Sequence, residues 1–292
     1  MPNLLPEPST LWLIKDFQVF VFTLLTQRIE AKSQPLAPRQ IYPFRARLTV
    51  DFAEHKVIPA RYADPMLSPT SRETTLVVFC RRPALGLGKR RLASALGDAA
   101  TLKISELLLA TTLEDLQAWP GRRVIAPAEP GDEAWARALP VPATAVVPQP
   151  GGNLGVRLTN VDRVLRKRGH TRLIYIGSDA PVLTGADFGA ACAALTSHDV
   201  VLIPALDGGV ACLGSRTRWP DLAELPWSSA DLHATLQSLC TRAGLTVCNL
   251  APRYDVDVPA DLAHLCRDLA LDARPARLAL YRALCTLGYC TP

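Results

Sequence analysis

The sequence predicts an α/β chain with a mostly parallel central sheet flanked by helices. Three observations lead there. Continuous apolar, β-branched runs, such as Thr75 to Cys80 (TLVVFC), Arg172 to Gly177 (RLIYIG) and Asp199 to Ile203 (DVVLI), suit strands covered on both faces. They alternate with helical patterns of roughly 10–15 residues, which signals crossover connections of right-handed sense. Hydrophobic residues make up 49% of the 292-residue chain and charged residues 20%, so a core can form without metal or disulfide staples and disorder throughout is excluded.

Residues 1–73 differ from the rest and are expected to form an N-terminal extension. A helix is predicted from Leu11 to about Ile29, with Ser9 or Thr10 as its cap. Pro35, Pro38, Pro43, Pro59, Pro65 and Pro69 then interrupt both helix and sheet. The extension could serve as a docking arm, as a homodimer element burying the apolar helix, or as an upstream stretch with no role. Leu11 to Leu25 contains Lys15 and Asp16 and falls short of the roughly 20 residues of a spanning helix. It also lacks the flanks of an export signal, so no membrane insertion and a cytoplasmic location are expected.

Orderly alternation begins at residue 74. Thr75 to Cys80 is the first strand, and Ala99 to Leu116 a helix of good formers. Strands follow at Arg122 to Ala126 and Ala143 to Val147, then a helix at Leu154 to Arg168 whose basic end complements its dipole. After the strand Arg172 to Gly177 come a helix at Gly185 to Leu195 and strands at Asp199 to Ile203 and Val210 to Gly214. A helix at Ser229 to Ala243 and a last strand at Leu245 to Leu250 precede a helix opened by Pro259, where proline suits the first turn. Residues 74–270 are read as one nucleotide-binding domain, with a terminal helix from Pro275 to Leu287 (residues 271–292) packed on it.

The net charge is +5, mild for a nucleic-acid binder but compatible with a phosphorylated small ligand. The eight cysteines form no C-x-x-C pair and sit largely in apolar stretches, so buried free thiols are expected rather than a zinc site. A serine-hydrolase elbow is absent, and the five histidines have no nucleophile nearby in sequence.

Ligands of such sheets sit beyond the carboxyl ends of the strands, which draws four loops to one rim. The first, RRPALGLGKRRL, offers Gly86 and Gly88 for close backbone approach and Lys89, Arg90 and Arg91 for phosphate oxygens. It matches neither common phosphate-loop pattern. Asp179 follows the strongest strand in GSDAPVL; it can bind a divalent cation through hard oxygen, or simply form the turn. Asp255 and Asp257, in YDVDVPADL, fall on the same side of an extended segment. Asp261 is better explained by the dipole of the helix it begins, and Asp207 in LDGGV can face the same rim.

Taken in order, these blocks resemble an uncharacterised bacterial family of the glycosyltransferase-A (GT-A) superfamily. It is related to the molybdenum-cofactor and phospholactate guanylyltransferases and to the sugar-phosphate nucleotidyltransferases. Lys89, Arg90, Arg91 and Leu92 stand where the family has K-T-R-L. Gln149, Gly152, Asn153, Leu154, Gly155 and Arg157 match Q-x-x-G-D-L-G-x-R. Gly177, Ser178, Asp179, Pro181 and Leu183 match G-S-D-x-P-x-L, and Asp207 to Val210 match D-G-G-Y. Trp227 to Ser229 match W-S-T, and Asp255, Asp257, Val258, Pro259, Asp261 and Leu262 match D-x-D-T-P-x-D-L.

The resemblance implies the Rossmann-like fold of the nucleotide-diphospho-sugar transferases and a nucleotide donor. It implies Mg2+ or Mn2+ on Asp179 and Asp257 and phosphates on Lys89 and Arg91; catalytic work is expected of Lys89, Arg91 and Asp179, with Asp207 the nearest candidate base if a hydroxyl acceptor is used. Nucleotide contacts are implied for Gly86, Gly88, Gln149, Asn153, Gly155, Arg157 and Ser178. The expected reaction is nucleotidyl transfer from a nucleoside triphosphate to a phosphorylated or acidic small-molecule acceptor. Glycosyl transfer from a nucleotide sugar and non-catalytic nucleotide binding are the alternatives. Arg90, Asn153 and Val210 depart from the family pattern, where a Thr, an acid and an aromatic stand, and point to an altered donor or acceptor preference, with loss of activity as the alternative.

Overall fold

A computed structural model of the chain describes residues 68–290, all within a compact unit that spans Ala60–Pro292. The predicted helix at Leu11 to Ile29 and most of the proline-rich segment lie outside the described residues. Pro69, expected to interrupt structure, instead starts a single-turn helix, α1 (Pro69–Glu73), capped by the Ser68 hydroxyl.

Among the described residues, seven strands form one sheet: β1 (Thr74–Cys80), β2 (Arg123–Pro127), β3 (Ala145–Val146), β4 (Arg172–Ile176), β5 (Val200–Pro204), β6 (Val210–Ser215) and β7 (Val247–Asn249). Their order is β3-β2-β1-β4-β6-β5-β7. β6 runs antiparallel to β4 and β5, and every other pairing is parallel. All the expected strands are present. β6 can reverse because a short turn, Ala205 to Gly209, links it to β5, and the register shifts at Ile203/Pro204 where proline cannot extend the ladder.

The helices are α2 (Arg90–Leu96), α3 (Asp98–Ala118), α4 (Glu133–Arg137), α5 (Leu154–Lys167), α6 (Gly185–Ser197), α7 (Leu232–Arg242), α8 (Pro259–Leu269) and α9 (Pro275–Thr286). Alternation sends successive β1 residues to opposite faces. Leu76, Val78 and Cys80 join the side covered by α3 and α6, through Leu113, Leu116, Phe188 and Leu195. Val77 joins the side covered by α5 and α7, through Leu158, Leu165 and Leu236. A third core binds α2, α3, α8 and α9 together through Leu92, Leu108, Leu262, Leu265, Leu280 and Leu284, and encloses Val256.

Free thiols were expected throughout, and one pair departs from that: Cys266 and Cys290 are joined by a disulfide. The turn after α9 brings Cys290 back onto α8, a long-range meeting that spacing could not reveal. Cys80, Cys192, Cys212 and Cys240 are buried free thiols, as expected of small hydrophobes. Burial, then the charge of Asp132, pushes the Cys80 thiol up to about 12.

Arg277 of α9 has no exposed surface, which sequence reading did not anticipate. Its guanidinium donates to Asp115 Oδ2 at 2.7 Å, Glu114 Oε2 at 3.0 Å and the Thr111 carbonyl at 3.2 Å, all on α3. It also donates to the carbonyls of Pro181 and Leu183 at 3.0 Å, in the loop that follows β4. Every donor face thus has a partner, the condition under which a buried charge is tolerated. Removing the guanidinium takes a charged partner from two carboxylates, leaving Asp115 to Arg274 and Glu114 to the Ala276 N–H, and strands the Pro181 and Leu183 carbonyls. Arg277→Met is therefore expected to cost about 3–5 kcal/mol in equilibrium urea unfolding; a cost within experimental error would show the network to be dispensable.

Candidate active site

The carboxyl ends of β1, β4 and β5 and the segment after β7 bring the basic and acidic motifs to one rim. The chain leaves β1 through Gly86 and Gly88, with φ of 74° and 73°. A Cβ at either would meet no protein atom within 4 Å, so within the protein itself it is the backbone conformation that calls for glycine. Lys89 adopts the same left-handed region at φ 38° although it carries a side chain. Such a conformation costs on the order of 1–2 kcal/mol and persists only where contacts hold it.

Those contacts are specific. Lys89 Nζ donates to the Val256 carbonyl at 2.5 Å and lies 3.6 Å from Asp179 Oδ2, with its side chain only 15% exposed. The Val256 N–H in turn donates to the Asp179 carbonyl at 2.8 Å. Val256, fully buried, therefore sits between the first loop and the loop after β4 while its neighbours Asp255 and Asp257 reach toward the rim. Asp261 accepts from the N–H groups of Asp257 and Val258 at 2.8 Å, capping α8, which agrees with the role read from its place in the sequence.

A cleft of about 420 Å3 is lined by Arg91, Asp207, Asp255 and Asp257 among others. Arg91 Nη1 meets Asp257 Oδ2 at 2.8 Å, and this pair is largely exposed. Asp255 is different. Burial first, then the charges of Asp179 and Asp207, pushes its carboxyl up to about 6, with Lys89 opposing. The acid adjoining Asp179 electrostatically is thus Asp255, while the carboxylate of Asp257, the metal ligand implied by the resemblance, is engaged by Arg91. The D-x-D spacing signalled both residues, but only the fold distinguishes them.

Glycines shape the acids as well. A Cβ on Gly177 would stand 2.5 Å from Asp179 Oδ1, so its absence leaves room for that carboxylate to fold back over the strand end. Gly208, at φ 90°, lies so close to the Ala230 backbone that any Cβ would collide with it, and Asp207 Oδ1 accepts from Gly209 N at 2.9 Å. Ser178 lies half-buried in the turn before Asp179.

The Gln149 to Arg157 block is occupied differently. Gln149 is buried, its amide donating to the Ala126 carbonyl at 2.6 Å. Asn153 caps α5 by accepting from Val156 N at 3.0 Å and donates to the Ala223 carbonyl at 2.7 Å. Arg157 Nε donates to the Gly152 carbonyl at 2.8 Å, and Gly155 packs tightly beneath Leu222 and Trp227. These side chains build the loop, and none of these hydrogen bonds reaches the acids.

The donor set fits a hard divalent cation. Asp179, Asp207 and Asp255 offer carboxylate oxygens whose mutual repulsion a cation would relieve. Among the described residues no carboxylate trio closes to within 4.8 Å, which suits an ion taking one or two carboxylates and completing its shell with phosphate and water.

Over residues 111–229 the chain matches the model of a family described as an uncharacterised protein conserved in bacteria (DUF2064). That span includes Asp179 and Asp207 but not Lys89, Asp255 or Asp257. No curated protein matches the chain by sequence. A crystal structure of a candidate nucleotide-diphospho-sugar transferase from Desulfovibrio desulfuricans G20 superposes with a TM-score of 0.67 at 25% identity, covering 74% of this chain and 96% of that one. More remote are a cytidylyltransferase from Leptospira borgpetersenii serovar Hardjo-bovis (TM-score 0.46, 10% identity, 74% and 95% covered) and a manganese complex of Rv0371c from Mycobacterium tuberculosis H37Rv (TM-score 0.40, 18% identity, 65% and 96% covered). The fold is the mixed-sheet, GT-A-like fold of the nucleotide-diphospho-sugar transferases. Among the described residues no helix is long and apolar enough to cross a membrane.

Asp255 has a measurable signature. Its folded-state value lies above the ordinary 3.8, so the associated stability is fully present below that value and is lost as pH rises through about 6. Asp255→Asn removes this slope. Without divalent cation, the melting temperature of the variant minus that of the wild type is expected to grow between about pH 4 and pH 7.5. A constant difference would detach Asp255 from the other acids.

Proposed function

We propose that this chain is a metal-dependent transferase using a nucleotide donor, and that it transfers a nucleotidyl group from a nucleoside triphosphate to a phosphorylated or acidic small-molecule acceptor. The observation that carries this reading is the convergence of Lys89 with Asp179, Asp207 and Asp255 at the carboxyl ends of the strands. Lys89 and Arg91 would receive phosphate oxygens, an incoming triphosphate competing with Asp257 for Arg91. Asp179 and Asp255 would hold Mg2+ or Mn2+, which when bound neutralises charge on the phosphate oxygens. An acceptor oxygen bonds to the α-phosphorus, the bond to the bridging oxygen breaks, and pyrophosphate leaves. An already ionised acceptor needs no general base, so the chain's contribution is positioning and charge compensation.

A second reading, glycosyl transfer from a nucleotide sugar, is favoured by what is said of the D. desulfuricans protein. It needs a base for a hydroxyl acceptor. Asp207, at the cleft, would take that proton. The released product separates the two: pyrophosphate from a triphosphate panel is expected, whereas nucleoside diphosphate from a sugar-nucleotide panel would replace the first reading with the second. Metal-dependent binding without turnover in either panel would leave a nucleotide-binding protein. Turnover is expected to be abolished by Asp179→Asn.

The two cations should respond differently to truncation. Lys89→Ala removes a charge-assisted hydrogen bond, and is expected to lower stability by about 1.5–3 kcal/mol as well as weakening triphosphate binding. Arg91→Ala, on an exposed side chain, is expected to weaken binding while the melting temperature stays within about 1–2 degrees of wild type. Normal triphosphate binding by both variants, read by calorimetry, would remove the first loop from the phosphate site.

A further inference from the structure

We propose that Cys266, Cys285 and Cys290 form a thiolate site for one zinc ion in the reduced chain, and that the Cys266–Cys290 disulfide is the oxidised, metal-free form of that site. The ligand atoms of the three residues all lie within 4.8 Å of one another, and among the described residues no other trio of histidine, cysteine or carboxylate side chains does so. In tetrahedral zinc–thiolate sites, with zinc–sulfur bonds of about 2.3 Å, sulfurs lie about 3.8 Å apart, so the Cys266 and Cys290 sulfurs must part once their bond is reduced, while Cys285 already lies within ligand range of both.

The fold brings the three sulfurs together by construction. Cys266 lies on α8 in the core shared with α9, and Cys285 lies in the last turn of α9. Beyond it Gly288 turns left-handed at φ 82°. The N–H of Gly288 donates to the Cys285 carbonyl and that of Tyr289 to the Leu284 carbonyl, each at 3.0 Å. This paired closure reverses the chain at a helix end and requires glycine at its centre. Cys290 is thereby returned to the side of α9, its sulfur 3.8 Å from the Tyr281 carbonyl and bonded to Cys266. A disulfide needs two sulfurs; the last turn of α9 supplies a third, exposed one, Cys285, beside them.

Thiolates select soft cations, and local polarity selects among them. Three thiolates with a divalent ion carry one net negative charge, and with monovalent copper two. Cys266 is 3% exposed and shares its core with Leu262, Leu265, Leu269, Leu280 and Leu284, where each additional charge is penalised. Zinc is accordingly the better occupant. The exposed side of Cys285 leaves the fourth position to water, as in other three-ligand zinc sites.

Loading follows reduction. A dithiol reductant supplies two electrons and two protons to the Cys266–Cys290 bond, which opens to two thiols while the reductant closes to its own disulfide. Zinc then displaces one proton from each of the three thiols.

The test uses the full chain, reduced with a dithiol, cleared of reductant without air and titrated with Co2+ and then Zn2+. One equivalent of Co2+ is expected to give thiolate-to-cobalt charge transfer and tetrahedral d–d bands, which Zn2+ abolishes. Cys285→Ser changes an exposed side chain and should fold normally by circular dichroism. It is expected to lose the bands and to release zinc to a chelator that leaves the wild type loaded, while its oxidised form still shows the Cys266–Cys290 bond by peptide mapping. Cys248→Ser is expected to bind as wild type does. A reduced wild type without thiolate bands would overturn the proposal, as would Cys285→Ser retaining the bands.

Discussion

One buried guanidinium governs how the rest of the structure is held. Arg277 enters the space between α3 and the loop after β4, and offers its donors to two carboxylates and three backbone carbonyls. The carbonyls of Pro181 and Leu183 have no strand partners, since the chain there has left the sheet; a bridging cation satisfies them without water. The same contact fixes α9 at its first turn, where Glu114 also accepts from Ala276 N at 2.9 Å. The loop bearing Asp179 is consequently secured from below by a helix more than ninety positions later in the chain.

Above that foundation the rim gathers several acids close together, with cations set against them. Three acids facing one another would open an unsupported loop cluster, so the structure opposes them with Lys89 from below and leaves Arg91 to Asp257 outside. The left-handed backbone at Lys89 coincides with this arrangement, its ammonium held by the Val256 carbonyl and beside Asp179. Local strain and local repulsion occur here together, as they do where function rather than stability sets the residue.

Much of this was legible in the sequence. The strand runs are unmistakable because burial on both faces demands uninterrupted apolar residues, and α3 and α5 to α9 appear within a few residues of their expected limits. The motif-bearing loops do reach one rim. What escaped was whatever depends on partners far apart in sequence. Arg277 reads as one more basic residue on a helix until Asp115 and Pro181 are placed around it. Lys89 reads as an exposed loop cation until Val256 is seen to accept from it. Asp255 and Asp257 are equivalent by alternation, and nothing local in the sequence shows that the amides of Gln149 and Asn153 also hold the loop together. The disulfide belongs to the same class, because the turn at Gly288 brings Cys290 back.

Val256 has a mechanical consequence. Its peptide units engage the ammonium of Lys89 on one side and the carbonyl of Asp179 on the other, while its side chain is anchored among Leu92, Leu262 and Leu265. Charges contributed by three distant stretches of chain are thereby mounted on a single aliphatic post. A displacement of that post would carry all of them along, preserving their spacing while shifting the ensemble relative to the glycine arch at Gly86 and Gly88.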